Sequence, residues 1–347
     1  MSDLLIYGSY GYTGELIADR AVDEGLDVAV AGRNEAKIER QSDALGVPGH
    51  AVDLDDDAAL RDVLEDVDAV LHCAGPFVHT YEPMVEACLR TGTHYLDITG
   101  EVPVFEGLAT RDGSAEEAGV TLLPGVGFDV VPTDCLAAHL ADRVPDATHL
   151  DLAFDGLDEL SPGTAASTVE HMDEGVLVRE DGELRRVPMG RRQREIDFGH
   201  GPRNATAIPW GDVATAYRTT GIPNVAVYLA VSPVEHAAVR SARYLGPLIA
   251  GTPLKGLVQR LIRHTVPGPD ERALDEGRIT VWGEARDGET ATARLETPNG
   301  YALTRDTAVE SARRVLDDDT EPGFQTPAGA FGADYVLDFD GVERHDE

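Results

Sequence analysis

Residues 4–20 read LLIYGSYGYTGELIADR: an apolar run, glycines at 8, 11 and 14, then apolar positions recurring at helical spacing. Such a stretch is a strand that turns sharply into a helix. Glycines at the turn serve one of two ends. They relieve crowding where the chain reverses, or they bring bare backbone amides to an anion at the helix N-terminus. The surrounding chain decides between them.

Six short apolar runs follow one another along the first part of the chain, at 4–8, 26–32, 49–54, 67–75, 93–99 and 119–125. Between them lie helix-period segments at 12–25, 34–46, 56–67 and 81–92, with a looser one around 103–117. Strand and helix alternating in this way call for an α/β fold, a Rossmann doubly wound parallel sheet with helices on both faces. The glycine turn is then the first strand–helix connection of that sheet, the context an anion cradle requires. Gly8 makes the turn, Gly11 admits a pyrophosphate, Gly14 lets the helix pack, and Thr13 offers a hydroxyl. The expected cofactor contacts here are Gly8, Tyr10, Gly11, Tyr12, Thr13 and Gly14.

The end of the second strand reads AGRNEAK, with Arg33 where a carboxylate would meet the ribose hydroxyl of NAD. A guanidinium suits a 2′-phosphate, so NADP(H) is the expected cofactor; the plainer alternative is a solvated residue opening the helix. Asp53, after the third strand, faces the adenine or belongs to the acidic surface. Ala74, Gly75, Pro76 and Phe77 follow the fourth strand and are placed beside the nicotinamide ribose.

Several chemistries drop out. A short-chain dehydrogenase needs a tyrosine four residues before a lysine, and the only lysines, 37 and 255, are preceded at that spacing by Arg33 and Gly251. HExxH, Cys-x-x-Cys and Gly-x-Ser-x-Gly are absent, and Cys73, Cys88 and Cys135 have no ligand spacing, so no metal is expected. The chain carries 63 acidic against 29 basic residues, a formal net charge of −34. That balance argues against nucleic acid and for a salty, halophile-type cytoplasm, where screening over roughly 3 Å at about 1 M salt makes such repulsion tolerable. The chain opens straight into a strand, and no apolar run reaches about 18 residues. A soluble cytoplasmic protein is the expectation.

As a set, GSYGYTG (8–14), AGR (31–33), CAGPF (73–77), ACLRTGTHYLDITGE (87–101) and GVGFDVVPTD (125–134) resemble the saccharopine-dehydrogenase-like oxidoreductases. The branch most alike includes the trans-acting enoyl reductases of lipid biosynthesis. TTGIPNVAVY (219–228) and TPAGAFG (326–332) extend the resemblance along the chain. It implies an NADP-dependent oxidoreductase with a Rossmann domain and an inserted substrate domain. The expected reaction is reduction of a C=C or C=O bond in an apolar or lipid-related small molecule. The alternatives are a saccharopine-type imine reductase, or an NADP-binding regulator without turnover. Saccharopine chemistry needs arginines for substrate carboxylates; those at 185, 186, 191, 192 and 194 supply them or form a solvated surface.

After residue 134 the alternation breaks. Strands are expected at 148–156, 182–188 and 223–233, a hairpin around Asp287–Gly288, and helices at 163–176 and 305–318. The expected domains are 1–142 for NADP, 143–304 as an α+β substrate or dimerisation domain of largely antiparallel sheet, and 305–347 returning to the first. Residues 236–269 contain no acid and several cations. They lie at an anionic membrane surface or over a lipid-like substrate, or else form a buried helical pair or homodimer interface. For proton transfer the candidates are Tyr81, Asp97 and Asp129, with His79 and Glu101 nearby.

Overall fold

The computed structural model describes residues 3–156, 175–232 and 277–347. The segment 236–269, and residues 163–174 of the expected helix, lie outside the described residues; Val176 begins a strand. The chain divides into two compact units, 1–135 with 300–339, and 136–299 with 340–347.

The first unit opens with β1 (Leu4–Tyr7), α1 (Tyr12–Asp23), β2 (Val28–Gly32), α2 (Glu35–Leu45), β3 (Gly49–Ala51) and α3 (Asp57–Leu64). It continues with β4 (Ala69–His72), α4 (Phe77–Thr91), β5 (His94–Asp97), α5 (Val102–Ala109), α6 (Asp112–Ala118) and β6 (Thr121–Leu123). The helix α7 (Val131–Arg143) begins in this unit and ends in the second. The strands are shorter than the apolar runs predicted, because the run ends curl out as loops. The loose helical stretch resolves into two helices.

Strand order is β3-β2-β1-β4-β5-β6, every pairing parallel. The chain leaves β1 in one direction for β2 and β3, then returns to its other side for β4, so the sheet reverses between β1 and β4. In open sheets of this kind, ligands bind in the crevice outside the strand ends at that reversal. Alternate strand residues build two cores. Leu5, Tyr7, Ala29, Ala31 and Val70 join the α3–α4 side, while Leu4, Ile6, Val28, Val30 and Leu71 face α1.

A seventh strand, β15 (Gly323–Phe324), adds to the β6 edge. It follows a long helix, Gly300–Leu316, labelled α9 below and packed on α1. A short helix, Pro327–Phe331 (α10), follows; the Thr326 hydroxyl accepts the Gly329 amide, and the carboxylate of Asp134 accepts from the Ala328 amide at 2.8 Å. The sequence motifs ending at 134 and starting at 326 thus meet in one hydrogen bond.

The second unit is a mixed sheet. It comprises β7 (His149–Asp155), β8 (Val176–Glu180), β9 (Glu183–Val187), β10 (Gln193–Asp197), β11 (Pro202–Ala207), β12 (Asn224–Val231), β13 (Arg278–Asp287), β14 (Glu289–Pro298) and β16 (Glu343–Asp346), with α8 (Asp212–Thr220) between β11 and β12. Only β7–β12 pair in parallel. The hairpin turns at Gly288, whose φ of 72° suits a residue without Cβ. Gly283 admits α7: a Cβ there would lie 2.6 Å from Leu140 Cδ1. No helix among the described residues is long and apolar enough to cross a membrane.

Candidate functional site

Two of the three glycines of the first turn are demanded by a close approach. Gly8 has φ +82°, and a Cβ on it would come within 2.8 Å of both Cβ and N of Ala74 on the β4 side of the crevice. A Cβ on Gly14 would lie 2.4 Å from the Gly8 carbonyl, and the Gly11 amide closes the turn onto that same oxygen at 3.0 Å. Gly11 is also the N-cap of α1, and no side chain caps that helix. By contrast Asn34 caps α2 and Asp56 caps α3. The start of α1 thus has no side-chain cap to offset its partial positive charge, a setting suited to an anion.

The turn is held from behind by residues that glycine spacing does not reveal. Ser9 is fully buried; its hydroxyl donates to Gln41 Oε1 at 2.7 Å, and Gln41 Nε2 donates back to the Ser9 carbonyl at 2.9 Å. Nothing local in the sequence marks a polar side chain on α2 as a brace for a loop some thirty residues earlier.

Arg33 is exposed at the end of β2, with Lys37 and Arg40 exposed on α2. Most described arginines pair with acids, as Arg20, Arg61 and Arg90 do. Among the described residues Arg33, Lys37 and Arg40 pair with none. In a chain this acidic, three cations without a carboxylate partner on one edge form an anion-seeking patch. Tyr10 lies over Gly32, where a Cβ would sit 2.5 Å from its ring, and the Lys37 ammonium stands 5.0 Å from the ring centroid. Tyr10, Glu15, Asp19, Lys37, Arg40 and Gln41 line most of an adjoining open cleft of about 340 Å³. Lys37 was not among the residues the sequence singled out. Asp53 is exposed one turn beyond β3, where its carboxylate accepts the Asp55 amide at 3.1 Å.

Across the crevice, Ala74 to Phe77 lead into α4. The amides of Phe77 and Val78 donate to the two oxygens of Glu101 at 2.8 and 2.9 Å, so this helix start is already filled by a carboxylate. The hydroxyl of Thr80 donates to the Ala74 carbonyl at 2.7 Å. Two large hydrophobics of the described chain are exposed, Tyr12 at 49% at the start of α1 and Val78 at 41% at the start of α4. Tyr12 packs edge-on against Tyr301 of α9, with centroids 5.1 Å apart.

The three proton-transfer candidates have different surroundings. Tyr81 is buried in α4, with its hydroxyl against the Gly107 position and 3.4 Å from Glu82 Oε1; burial raises its pKa. Asp97 ends β5 fully buried. It accepts the Tyr95 hydroxyl at 2.7 Å and the Thr99 and Gly125 amides at 2.9 Å each, which ties β5 to the loop after β6. Burial nevertheless pushes its pKa up to about 6. Asp129 lies against Gly100, and desolvation raises it also to about 6 while the residue keeps partial contact with solvent. His79 is exposed. Among the described residues no cluster of three His, Cys, Asp or Glu could hold a metal ion.

Comparison with known proteins gives the same picture of the first unit. Residues 4–123 match the family described as Saccharopine dehydrogenase NADP binding domain. A mouse saccharopine dehydrogenase-like oxidoreductase is 31% identical over 151 residues, covering 38% of this chain and 35% of the relative. A putative trans-acting enoyl reductase of Mycobacterium tuberculosis is 31% identical over 185 residues, covering 48% and 43%. The match therefore spans less than half the length of these relatives. Apo saccharopine dehydrogenase (L-Glu forming) from Saccharomyces cerevisiae superposes over 100% of both chains with a TM-score of 0.71 at 14% identity, a likeness of fold.

Proposed function

For a chain that carries a saccharopine dehydrogenase NADP binding domain over residues 4–123, we propose an NADPH-dependent oxidoreductase that reduces a C=C or C=O bond of an apolar, lipid-related molecule. The observation that carries the substrate class is the crevice rim. A protein of net charge −34 keeps Tyr12 and Val78 exposed on the two helix starts that flank the sheet reversal. Apolar surface held open at a ligand crevice favours an apolar ligand. The name of the mycobacterial relative, an enoyl reductase, agrees with this class.

In this reading Arg33 and Lys37 take the 2′-phosphate, the uncapped start of α1 takes the pyrophosphate, and the Ala74–Phe77 stretch takes the nicotinamide half. When bound, NADPH supplies the hydride. The protein must then deliver a proton to the developing enolate or alkoxide. Asp129 is the proposed donor: its raised pKa keeps a proton available near neutrality. Asp97 is less suited because it is fully buried whereas Asp129 keeps contact with solvent, and Tyr81 because its hydroxyl faces Gly107 and Glu82.

Saccharopine-type imine reduction would call on free arginines for substrate carboxylates. Of the five arginines, Arg185, Arg192 and Arg194 are instead paired with Glu183, Glu180 and Asp151, while Arg191 stays exposed. That pairing favours the apolar substrate.

The test is a titration with NADPH and NADH at high salt, on wild type and Arg33→Ala, followed by NADPH consumption with enoyl thioesters and alkyl ketones. Wild type is expected to prefer NADPH, and the variant to lose about 1.5–3 kcal/mol of binding to NADPH alone. Turnover with 2-oxoglutarate and lysine, and none with apolar substrates, would overturn the substrate class. Tight NADPH binding with no turnover of any of these would make the protein a sensor.

A further inference from the structure

His72 is the last residue of β4, directly beneath the Ala74–Phe77 stretch. It is fully buried, with ring centroids of Tyr7 and Phe77 at 5.5 Å and Tyr95 at 6.2 Å. An apolar side chain would fill that space without a desolvation cost. The imidazole instead makes one polar contact, Nε2 to Thr80 Oγ1 at 3.0 Å.

That contact settles the proton. The Thr80 hydroxyl lies 2.7 Å from the Ala74 carbonyl and 3.2 Å from the Pro76 carbonyl, and carbonyl oxygens only accept. The one hydroxyl proton is therefore spent on them, so its oxygen must accept from His72. The hydrogen sits on Nε2, and Nδ1 is a bare acceptor; it is buried without a hydrogen-bond partner. Burial drives the imidazole pKa down to about 3, which keeps the ring neutral.

We propose that His72 is a positioning residue for the cofactor: through the Thr80 hydroxyl it orients the Ala74 and Pro76 carbonyls, and so shapes the stretch that receives the nicotinamide half of NADPH. This rests on the cofactor placement proposed above. The stretch belongs to the crevice, since Ala74 is the residue a Cβ on Gly8 would strike. The adenosine end, at Arg33 and Lys37, is not part of the relay.

The experiment compares two ligands that share only the adenosine half. NADPH is titrated by nicotinamide fluorescence and 2′,5′-ADP by calorimetry, on wild type, Thr80→Val, Thr80→Ser, His72→Phe and the double variant Thr80→Val/His72→Phe. Thr80→Val is expected to weaken NADPH about tenfold and leave 2′,5′-ADP within about twofold, with Thr80→Ser close to wild type. The double variant should be no weaker than Thr80→Val, because one relay is lost only once. NMR of labelled histidine in the folded wild type should place the hydrogen on Nε2 throughout the range of about pH 5–8. Equal loss of both ligands, no loss of either, or an Nδ1–H tautomer would overturn the relay. Should wild type fail to bind NADPH, the cofactor placement falls first and the relay with it.

Discussion

At the scale of single residues, two carboxylates of similarly raised pKa are separable by experiment. Asp129→Asn removes the proposed proton donor, so turnover should fall by a factor of about 10²–10⁴ while NADPH affinity holds. Stopped-flow reduction beside a binding titration checks it, and a variant that keeps most of its rate would sink the assignment. Asp97 bears on stability. Its native pKa of about 6 stands above the ordinary 3.8, so the charged form is penalised by folding. Its effect is absent below the ordinary value, builds as pH rises toward about 6, and is then complete, at up to about 3 kcal/mol. Asp97→Asn never ionises, and its amide oxygen can still accept the two amides that converge on Oδ1. The melting temperature of the variant relative to wild type should therefore climb between about pH 4 and 6 and level off above. A difference that stays flat across that window would contradict the argument.

At the scale of elements, the starts of α1 and α4 are contrasting solutions to one problem. Both helices begin at the sheet reversal with amides that have no partner within the helix. That of α1 has no side-chain cap, while Glu101 reaches back from the loop after β5 to satisfy two amides of α4. Glu101 is thereby a cap, which accounts for an acidic residue at a strand end without asking it to move a proton. Glu101→Ala should cost about 1–2 kcal/mol of unfolding free energy in a denaturant titration, with Glu101→Gln costing less because one acceptor survives. Equal stability of all three proteins would rule the cap out. The helix at 131–143, α8 and the strands β8, β10, β11, β15 and β16 were not legible in the chain. Their apolar patterns are short, and β15 is held largely by backbone pairing to β6. Asp134 shows why: its role as an acceptor for α10 depends on a residue 194 positions away.

At the scale of the whole molecule, charge is the governing property. Many arginines are consumed in local pairs, among them Arg313 and Arg314 with Glu310, and the acidic excess remains. Screening should therefore stabilise both units. Raising KCl from about 0.1 M to about 2 M should lift the melting temperature on the order of 10 °C. Scanning calorimetry across that series decides it; no rise, or a fall, would show that the excess is already balanced by the local pairs.

The sequence alone determined the parallel sheet, the glycine turn, the place of Arg33 and the hairpin at Gly288. These rest on periodicity and on backbone conformations that few residues adopt, both written in neighbouring positions. Only the tertiary structure decided that Gln41 braces the turn, that Glu101 caps α4, that Lys37 and Arg40 join Arg33, and that His72 stands behind the Ala74 carbonyl. The Gln41 brace and the Glu101 cap join segments far apart in the chain, and their chemistry comes into being only when folding brings a donor and an acceptor together; the other two depend on which way the fold turns side chains that are near in sequence.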